Sequence, residues 1–372
     1  MPDFPAIAPV DAPRQFGTPQ LGLALAEVDV LIRASAARTT FDVDGSGVAA
    51  AVLDTGLNTG HVDFAGRVLA QRNFTGDNGG DPDDATDGQG HGTNVGGIVC
   101  ANRDHRGVAP GAGIVPLKVL SNSGSGSFSA VDDALQWVLD NREAHTITAC
   151  CLSLGDGSNR TVDDDLELDP IRNRIRELRE VGVATVIASG NDFFTHDSEQ
   201  GMSYPAILRE CISVGAVYDN FEGGFRYASG AEAFSSAPDR ITPFSQRLHR
   251  DAGADCCTDI LAPGAPVTSP GIDGPRGESV QQGTSQATPV TVGAVLLMQQ
   301  LHLRLTGRLP AVDELIDWMQ RGGVEINDGD DERDNVRHTG LDFIRLDAFG
   351  ALDALQRHLQ KEMLLTGQPL KP

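Results

Sequence analysis

The feature that most constrains the fold is an apolar segment that follows a run of small residues. Residues 282–289 read Gln-Gly-Thr-Ser-Gln-Ala-Thr-Pro, and residues 290–298 are largely apolar. So apolar a segment is expected to form a buried helix, and Pro289 is tolerated only near its start, where the missing N–H costs nothing. Ser285 is therefore predicted at or just before a helix N-terminus, and other layers of the protein must enclose that helix.

Two interpretations of Ser285 follow from this position. Free backbone N–H groups and the positive end of the helix dipole favour a negatively charged oxygen at a helix N-terminus. Ser285 can therefore be a nucleophile, provided that a base and a group orienting the base lie nearby, because a serine hydroxyl alone is weakly nucleophilic. The alternative is that Ser285 is only an N-cap residue.

Candidate partners of Ser285 lie upstream. Residues 48–53 form an apolar run of the length of a buried parallel strand, and Asp54 follows it. Open α/β sheets place their sites at this carboxyl edge. His91 precedes another run of small and apolar residues that is compatible with a helix. Residue 287 is Ala, so the Gly-x-Ser-x-Gly motif of the α/β-hydrolases is absent.

Together these motifs are similar to those of the subtilisin-like (subtilase) serine proteases. Residues 54–56 (Asp-Thr-Gly) match the aspartate motif of that family, residues 91–93 (His-Gly-Thr) the histidine motif, and residues 283–289 the serine motif. The order Asp, His, Ser along the chain is also that of subtilisin. The resemblance extends from about residue 47 to about residue 358.

This resemblance implies a serine endopeptidase that forms an acyl-enzyme intermediate, with Asp54, His91 and Ser285 as its catalytic residues. Its partner would be a peptide or protein substrate in an extended conformation. Two alternatives stay open. One is a dedicated processing protease that matures a specific peptide, with its specificity in residues 18–37 or in the long insert 219–258. The other is an inactive, peptide-binding relative.

The resemblance also implies an oxyanion hole and a substrate cleft. Asn191, in a Ser-Gly-Asn sequence, would bind the oxyanion together with the backbone N–H of Ser285, although Asn is also frequent in turns. Two segments would pair with the peptide as added strands, and small residues beside them would leave room for Leu, Phe, Tyr or Met before the scissile bond. Asp192 could accept Lys or Arg at the rim. The expected substrate-binding residues are Gly124, Ser125, Gly126, Ser153, Leu154, Gly155, Ala188, Ser189 and Gly190.

An acidic, glycine-rich loop precedes the histidine motif. Hard cations such as calcium bind clustered carboxylate and carbonyl oxygens on flexible loops, and some subtilases bind calcium here. The enzyme is expected to require no cofactor, with calcium as a candidate structural ion. The alternative is a solvated acidic loop. The candidate ligands are Asp77, Asp81, Asp83, Asp84 and Asp87.

Apolar runs of strand length alternate with segments whose apolar residues recur at helical spacing. Strands are expected over residues 48–53, 114–120, 146–154, 184–188 and 212–217. Helices are expected over residues 21–37, 128–141, 171–181, 312–319 and 346–359, besides those that follow His91 and Ser285. This alternation predicts an α/β fold whose mostly parallel central sheet has helices on both faces. The resemblance implies the same three-layer, subtilisin-like fold.

The expected organisation is a single catalytic domain with short flanks. Residues 1–46 are interpreted as a proline-rich arm and a helix, residues 47–358 as the peptidase domain, and residues 359–372 as a tail. The first residues have neither the basic nor the apolar region of a signal peptide. The protein is therefore expected to be either cytoplasmic or a trimmed form of an exported enzyme. The sequence leaves the oligomeric state open.

Charge and cysteine content limit the possible binding partners and metal sites. With 52 acidic and 29 basic residues, the net charge is -23. The sequence has no basic cluster of the kind that binds nucleic acids, so no nucleic-acid partner is expected. No apolar run has the length of a membrane span. Of the six cysteines, Cys100, Cys150 and Cys151 lie in apolar runs and are expected to be buried. A bridge from Cys211 to the Cys256-Cys257 loop is conceivable, and no zinc-binding cysteine spacing occurs.

Overall fold

The computed structural model describes residues 25–253 and 255–366. Within these ranges the chain forms eight α-helices. They are α1 (Ala26–Leu31), α2 (Ala34–Phe41), α3 (His91–Cys100), α4 (Phe128–Asn141), α5 (Pro170–Glu180), α6 (Thr284–Thr306), α7 (Val312–Gly322) and α8 (Ala348–Thr366). Three short 3-10 helices cover Val62–Phe64, Asn78–Gly80 and Asp164–Leu166.

Fourteen strands accompany these helices in the described ranges. The first seven are β1 (Ala49–Asp54), β2 (Arg72–Asn73), β3 (Gly113–Lys118), β4 (Ile147–Leu152), β5 (Ala184–Ala188), β6 (Ile212–Tyr218) and β7 (Phe225–Arg226). The others are β8 (Glu232–Ser235), β9 (Ile260–Ala265), β10 (Val267–Pro270), β11 (Glu278–Gln281), β12 (Val324–Asn327), β13 (Arg333–Asp334) and β14 (Asp342–Arg345).

Nine of the strands form one sheet, in the order β12-β14-β9-β6-β5-β4-β1-β3-β2. Every neighbouring pair is parallel except β12 and β14, which are antiparallel. Strands β10 and β11 form a separate antiparallel hairpin, and β13, β8 and β7 form a small antiparallel sheet. The sheet confirms the predicted fold class.

Helices cover both faces of the central sheet, as β1 illustrates. Its alternate residues Ala50 and Val52 belong to one hydrophobic cluster, and Ala51 and Leu53 belong to another. Side chains of successive strand residues point to opposite faces, so the two clusters lie on opposite sides of the sheet. The first cluster includes residues of α3, α6 and α8, and the second includes residues of α4 and α5. The protein therefore has three layers.

Helix α6 lies deepest in the structure. Its residues from Thr284 to Gln299 are all buried, which is the behaviour of a helix that is apolar around its whole circumference. Pro289 is the sixth residue of this helix and therefore lies inside it. A proline here removes the backbone hydrogen bond to the carbonyl of Ser285, four residues earlier.

The predicted strands agree with the observed ones to within two residues, and α4 has the predicted bounds. The helix expected over residues 21–37 is interrupted, because Arg33 adopts a left-handed conformation (φ 55°) between α1 and α2. Its first residues, like the arm over residues 1–20, lie outside the described part. The last helix, α8, extends past the predicted end at residue 359 to Thr366.

The division into arm, domain and tail stays a prediction. In the structure, however, residues of both flanks pack into the same core. Ile32 and Ala37 are fully buried in the cluster that contains α6, and Leu359 of α8 joins them.

All six cysteines are free, so the conceivable bridge from Cys211 does not form in this structure. Cys100, Cys150 and Cys151 are buried as expected, and burial raises the pKa of both Cys100 and Cys150 to about 12. Such thiols stay protonated at neutral pH. Among the helices of the two described ranges, none has the length and apolar character needed to cross a bilayer.

Candidate active site

The structure pairs the aspartate and histidine of the predicted site. Asp54 is the last residue of β1, and His91 is the first residue of α3. The Nδ1 atom of His91 lies 2.8 Å from Oδ1 of Asp54, and both side chains are buried. Helix α3 can approach the strand end this closely because residue 92 is glycine: a Cβ there would lie 2.3 Å from the carbonyl oxygen of Gly56.

This pairing defines the electrostatics of His91. Burial lowers the pKa of His91, but the nearby Asp54 carboxylate opposes this effect, and the net shift of the pKa is upward. With Nδ1 held by Asp54, the proton on neutral His91 lies on Nδ1, and Nε2 keeps its lone pair. Nε2 is buried and makes no hydrogen bond within the described chain.

Ser285 is the second residue of α6, so its backbone N–H has no partner within the helix. Its hydroxyl donates a long hydrogen bond of 3.4 Å to the carbonyl oxygen of Ser153, and no hydrogen bond joins it to His91 in this structure. The starts of α3 and α6 are nevertheless adjacent. Gln286 donates to Asn94 at 3.3 Å, and Gln281 donates to the carbonyl oxygen of Gly90 at 3.3 Å.

A second contact fixes the backbone of Ser285. The hydroxyl of Ser153 donates to the carbonyl oxygen of Ser285 at 2.7 Å. This is the carbonyl that Pro289 leaves without its helical hydrogen bond. The side chain at the end of β4 therefore replaces a donor that the helix lacks.

Asn191 is oriented by Thr284. Its Oδ1 atom accepts hydrogen bonds from the backbone N–H and from the hydroxyl of Thr284, both at 2.9 Å. These two donors identify the amide oxygen, so Nδ2 points the other way. There it lies over Gly283, where a Cβ would come within 2.9 Å of it. Nδ2 donates no hydrogen bond within the described residues, so its N–H groups are available to a ligand.

The predicted substrate segments leave adjacent strands at the same edge of the sheet. The segment of Ser153, Leu154 and Gly155 follows β4, and Ser189 and Gly190 follow Ala188, the last residue of β5. Beyond β1, on the other side, a bridge between Leu120 and Gly126 closes the loop that contains Gly124 and Ser125 after β3. The strand order β5-β4-β1-β3 thus brings the predicted substrate-binding residues around Asp54.

Gly190 illustrates how tightly this cleft is built. It has a φ of 115°, and a Cβ at this position would lie 1.9 Å from Oε1 of Gln246. On the opposite segment, a Cβ at Gly155 would lie 2.5 Å from the hydroxyl of Ser203. Only glycine fits at both positions.

In the acidic loop, all five predicted calcium ligands have partners within the chain. Asp77 accepts from the N–H of Asn122 at 2.6 Å, Asp81 and Asp84 accept from nearby backbone N–H groups, and Asp83 pairs with Arg72. None of the five belongs to a group of three or more ligand atoms converging within 4.8 Å in the described residues. Calcium sites also draw on backbone carbonyl oxygens, and calcium binding here stays a prediction.

Asp87, the fifth of these residues, holds the start of α3. Its two carboxylate oxygens accept from the N–H groups of Gln89, Gly90 and Thr93 and from the hydroxyl of Thr93. Sequence reasoning missed this role, and it also missed the role of Thr284 beside Asn191. An Asp followed by Gly-Gln-Gly just before a helix is a recognisable Asx-turn pattern, whereas nothing in the sequence pairs Thr284 with a residue so distant along the chain.

A parallel sheet that gathers a buried aspartate–histidine pair and a helix-terminal serine at one edge defines a class of protein, the serine hydrolases. The comparisons with known proteins narrow this class. The model of the subtilase family matches residues 45–316, and the chain therefore belongs to the subtilase family. It is a subtilisin-like serine endopeptidase.

Individual relatives support the assignment to the subtilase family. An intracellular serine protease of Paenibacillus polymyxa is 30% identical over 260 residues, covering 69% of this chain and 68% of the relative. The major intracellular serine protease of Bacillus subtilis (strain 168) is 29% identical over 261 residues, covering 69% and 70% respectively. The crystal structure of a cold adapted subtilisin-like serine proteinase matches with a TM-score of 0.57 and 27% identity, over 76% of this chain and 84% of that one.

Proposed function

We propose that this protease cleaves peptide bonds by acyl transfer through Asp54, His91 and Ser285. The Ser285 Oγ attacks the scissile carbonyl carbon while Nε2 of His91 takes its proton and then passes it to the leaving amine. Water, deprotonated by the same nitrogen, hydrolyses the acyl-enzyme. Asp54 orients the imidazole and stabilises its protonated form. The single observation that carries the proposal is the buried 2.8 Å contact between His91 and Asp54, with Nε2 free to accept.

The oxyanion of the tetrahedral intermediate would be bound by Nδ2 of Asn191 and by the backbone N–H of Ser285. Two features support this assignment. Thr284 holds the amide of Asn191 with its donor side turned away from Thr284, and the second position of a helix leaves the Ser285 N–H unpaired. Donors that are fixed before the reaction need no reorganisation when charge develops.

An extended peptide would bind between the segment after β3 and the segment after β4. Pairing of this kind provides main-chain hydrogen bonds regardless of sequence, while side-chain pockets set preference. The pocket for the residue before the scissile bond would lie between the segments at residues 153–155 and 188–190. The small residues of these segments would leave room for a large apolar side chain.

Active-site labelling tests the catalytic proposal directly. A fluorescent phosphonate forms a covalent bond only with an activated serine, so it should label the wild-type protein and fail to label Ser285→Ala. Arg72→Ala, which removes the partner of Asp83 in the acidic loop, serves as a folded control that retains labelling. Absence of label on a folded wild-type protein would instead favour the inactive, peptide-binding relative.

A dedicated processing protease is the second candidate, and one contact favours it. The hydroxyl of Tyr227, in the long insert, donates to Oε1 of Gln282 at 2.9 Å, three residues before the nucleophile. The insert also forms β7 and β8 of the small sheet. An insert in contact with the serine motif would restrict which substrates reach the cleft. As to location, relatives of this chain are named both as intracellular and as extracellular serine proteases.

A further inference from the structure

We propose that His61, Asp63 and His105 form a binding site for a divalent transition-metal ion, zinc in the first place. One ligand atom from each of the three side chains lies within 4.8 Å of the others, and all three residues are buried. These residues, the histidine–aspartate cluster, do not take part in the proposed catalytic mechanism. The site is therefore independent of that mechanism.

The protonation of His61 is defined by its surroundings. Its Nε2 lies 3.0 Å from the carbonyl oxygen of Gly277, which can only accept, so Nε2 carries the proton and Nδ1 presents a lone pair. This nitrogen accepts the backbone N–H of Asp63 at 3.2 Å and lies 3.5 Å from Oδ2 of the same residue. Two acceptor atoms on one tetrahedral zinc ion, with bonds of about 2.0–2.2 Å, lie about 3.4 Å apart. The observed separation fits a shared ion.

His105 provides the third ligand. Its Nδ1 lies 2.6 Å from Oδ2 of Asp63, so a proton is shared between these atoms when no metal is bound. A metal ion replaces that proton, and the two atoms would separate by about 0.8 Å to reach tetrahedral spacing. The ion would also replace the 3.2 Å hydrogen bond that Nδ1 of His61 accepts from the N–H of Asp63.

The surroundings of the three ligands are those of a metal site. Metal-binding histidines typically direct the other ring nitrogen toward a carbonyl or a carboxylate. Nε2 of His61 faces Gly277 in this way, and Nε2 of His105, which makes no hydrogen bond, lies 3.4 Å from Oε1 of Glu278. The second carboxylate oxygen of Asp63 accepts the N–H groups of residues 103–105, which fixes the ligand carboxylate.

The donor set indicates which ion would bind. Calcium takes six to eight oxygen ligands, and magnesium prefers oxygen and keeps several waters. The histidine–aspartate cluster instead offers two imidazole nitrogens and one carboxylate, which suits zinc and its neighbours in the first transition row. With three protein ligands, a tetrahedral ion would keep one position for a further ligand.

The consequence would be structural. Residues 61–63 follow the strand of Asp54, His105 lies in the loop after the helix of His91, and residues 277–278 precede the serine motif. One ion would therefore join the first two of these segments directly and the third through the outer partners Gly277 and Glu278. Each of the three segments adjoins a proposed catalytic residue. A ligand that binds only the folded protein stabilises it, so zinc should raise the melting temperature.

Metal titration of the Ser285→Ala protein, which cannot digest itself if Ser285 is the nucleophile, tests the proposal. After treatment with a chelator, isothermal titration with zinc should give one site per chain, and calorimetry should show a higher Tm with zinc. Cobalt(II) should give the visible absorption of a tetrahedral site, and a large excess of calcium should leave it unchanged. A folded protein that binds no zinc, or whose cobalt spectrum calcium abolishes, would overturn the proposal.

Variants locate the site. His105→Asn should abolish the zinc-dependent rise in Tm, whereas His145→Asn, at a histidine outside the cluster, should retain it. Should His105→Asn not fold, Glu278→Ala replaces it, because that side chain is 52% exposed. Removing such an outer partner should weaken zinc binding about 10- to 100-fold. Unchanged zinc affinity in the folded variant would show that the cluster is only a set of hydrogen bonds.

Discussion

Ser153 and Ser285 exchange hydrogen bonds. The Ser153 hydroxyl donates to the Ser285 carbonyl at 2.7 Å, and the Ser285 hydroxyl donates in return to the Ser153 carbonyl at 3.4 Å. The first of these is strong and involves only the backbone of Ser285. The second is long, so it restrains the Ser285 hydroxyl weakly. The arrangement holds the helix end in place while leaving the hydroxyl free to rotate.

Ser285→Ala should abolish peptidase activity without changing the melting temperature, because the bond from Ser153 goes to the backbone and survives. The triad of subtilisin acts as a unit, and we expect the same here. The double variant Ser285→Ala/His91→Ala should therefore be no slower than either single variant. Peptide hydrolysis and calorimetry check both statements, and additive losses would argue against a triad.

Asn191→Leu should lower kcat and hardly change KM, because in the proposed mechanism the amide binds an oxygen that carries full charge only in the transition state. Loss of one such donor in subtilisin costs about 100- to 1000-fold in kcat, and we expect a similar loss. The buried N–H of Thr284 also loses its acceptor, so the Tm should fall.

Thr284→Val is the matched control for Asn191→Leu. It removes the hydroxyl that donates to Asn191 but leaves the Nδ2 donor in place. It should therefore lower the Tm with a much smaller loss of kcat. Equal kcat losses in the two variants, or a wild-type kcat in Asn191→Leu, would mean that the oxyanion donor lies elsewhere.

The pH dependence of kcat/KM should follow His91. Burial and Asp54 together leave the pKa of His91 above its usual value of 6.5. Only the neutral imidazole can accept the serine proton. The value of kcat/KM should therefore rise with pH through a midpoint above 6.5 and fall toward zero at pH values well below that midpoint. Asp54→Asn should lower that midpoint and reduce kcat, by roughly 10⁴-fold as in trypsin-like enzymes. A midpoint unmoved by Asp54→Asn would contradict the pairing.

The same shift predicts a stability effect of opposite sign. A pKa raised by folding means that the folded state binds the proton more tightly. His91 should therefore stabilise the fold fully below its unfolded pKa, and this contribution should be lost as pH rises through the folded pKa. Urea unfolding of Ser285→Ala and of Ser285→Ala/His91→Gln across this range would isolate the contribution of His91 from those of other groups.

Cleavage of a degenerate peptide library should show Leu, Phe, Tyr or Met before the scissile bond. Asp192, at the rim after Asn191, should add some cleavage after Lys or Arg. Asp192→Asn should remove that basic component and leave the apolar preference intact. A preference for Asp or Glu would show that the pocket is assigned to the wrong residues, and a single dominant sequence would favour the processing protease.

Calcium should raise the Tm if the acidic loop binds it, and the paired substitution Asp77→Asn/Asp84→Asn should remove that effect. Arg72→Ala is a useful control, since it frees Asp83 without removing a carboxylate. Calorimetry in chelator and in millimolar calcium makes the comparison. Identical melting curves would leave the loop as a hydrogen-bonded acidic turn.

The layers of this fold were predictable because local patterns decide them. Neighbouring residues alone determine the apolar runs of β1 and β5 and the helical spacing in α4. The candidate site residues were predicted from family motifs. The break between α1 and α2 at Arg33 was not predictable. The left-handed backbone of Arg33 interrupts a helical pattern, and no glycine or proline marks the break. The small sheet of β7, β8 and β13 was missed for a similar reason, because its strands are too short to show alternation.

Contacts between distant segments were the other limit. The histidine–aspartate cluster joins His61 and Asp63 to His105, in a loop on the far side of α3, and no local pattern connects them. Likewise, the family motifs predict Ser153 as a residue of a substrate-binding strand. Its hydrogen bond to Ser285 could not be predicted, because it depends on how α6 packs against β4.

The order of the strands and helices along the chain has a consequence for the synthesis of the protein on the ribosome. Asp54 lies in the first strand of the described chain. Ser285 lies at the start of a helix that follows eleven described strands and packs against five strands of the central sheet. While the ribosome is still extending the chain, the early strands can collapse, yet the hydroxyl that would cut a peptide has not been made or buried. A half-synthesised copy therefore cannot attack itself or its neighbours, and the ability to digest protein arrives only with the completed fold.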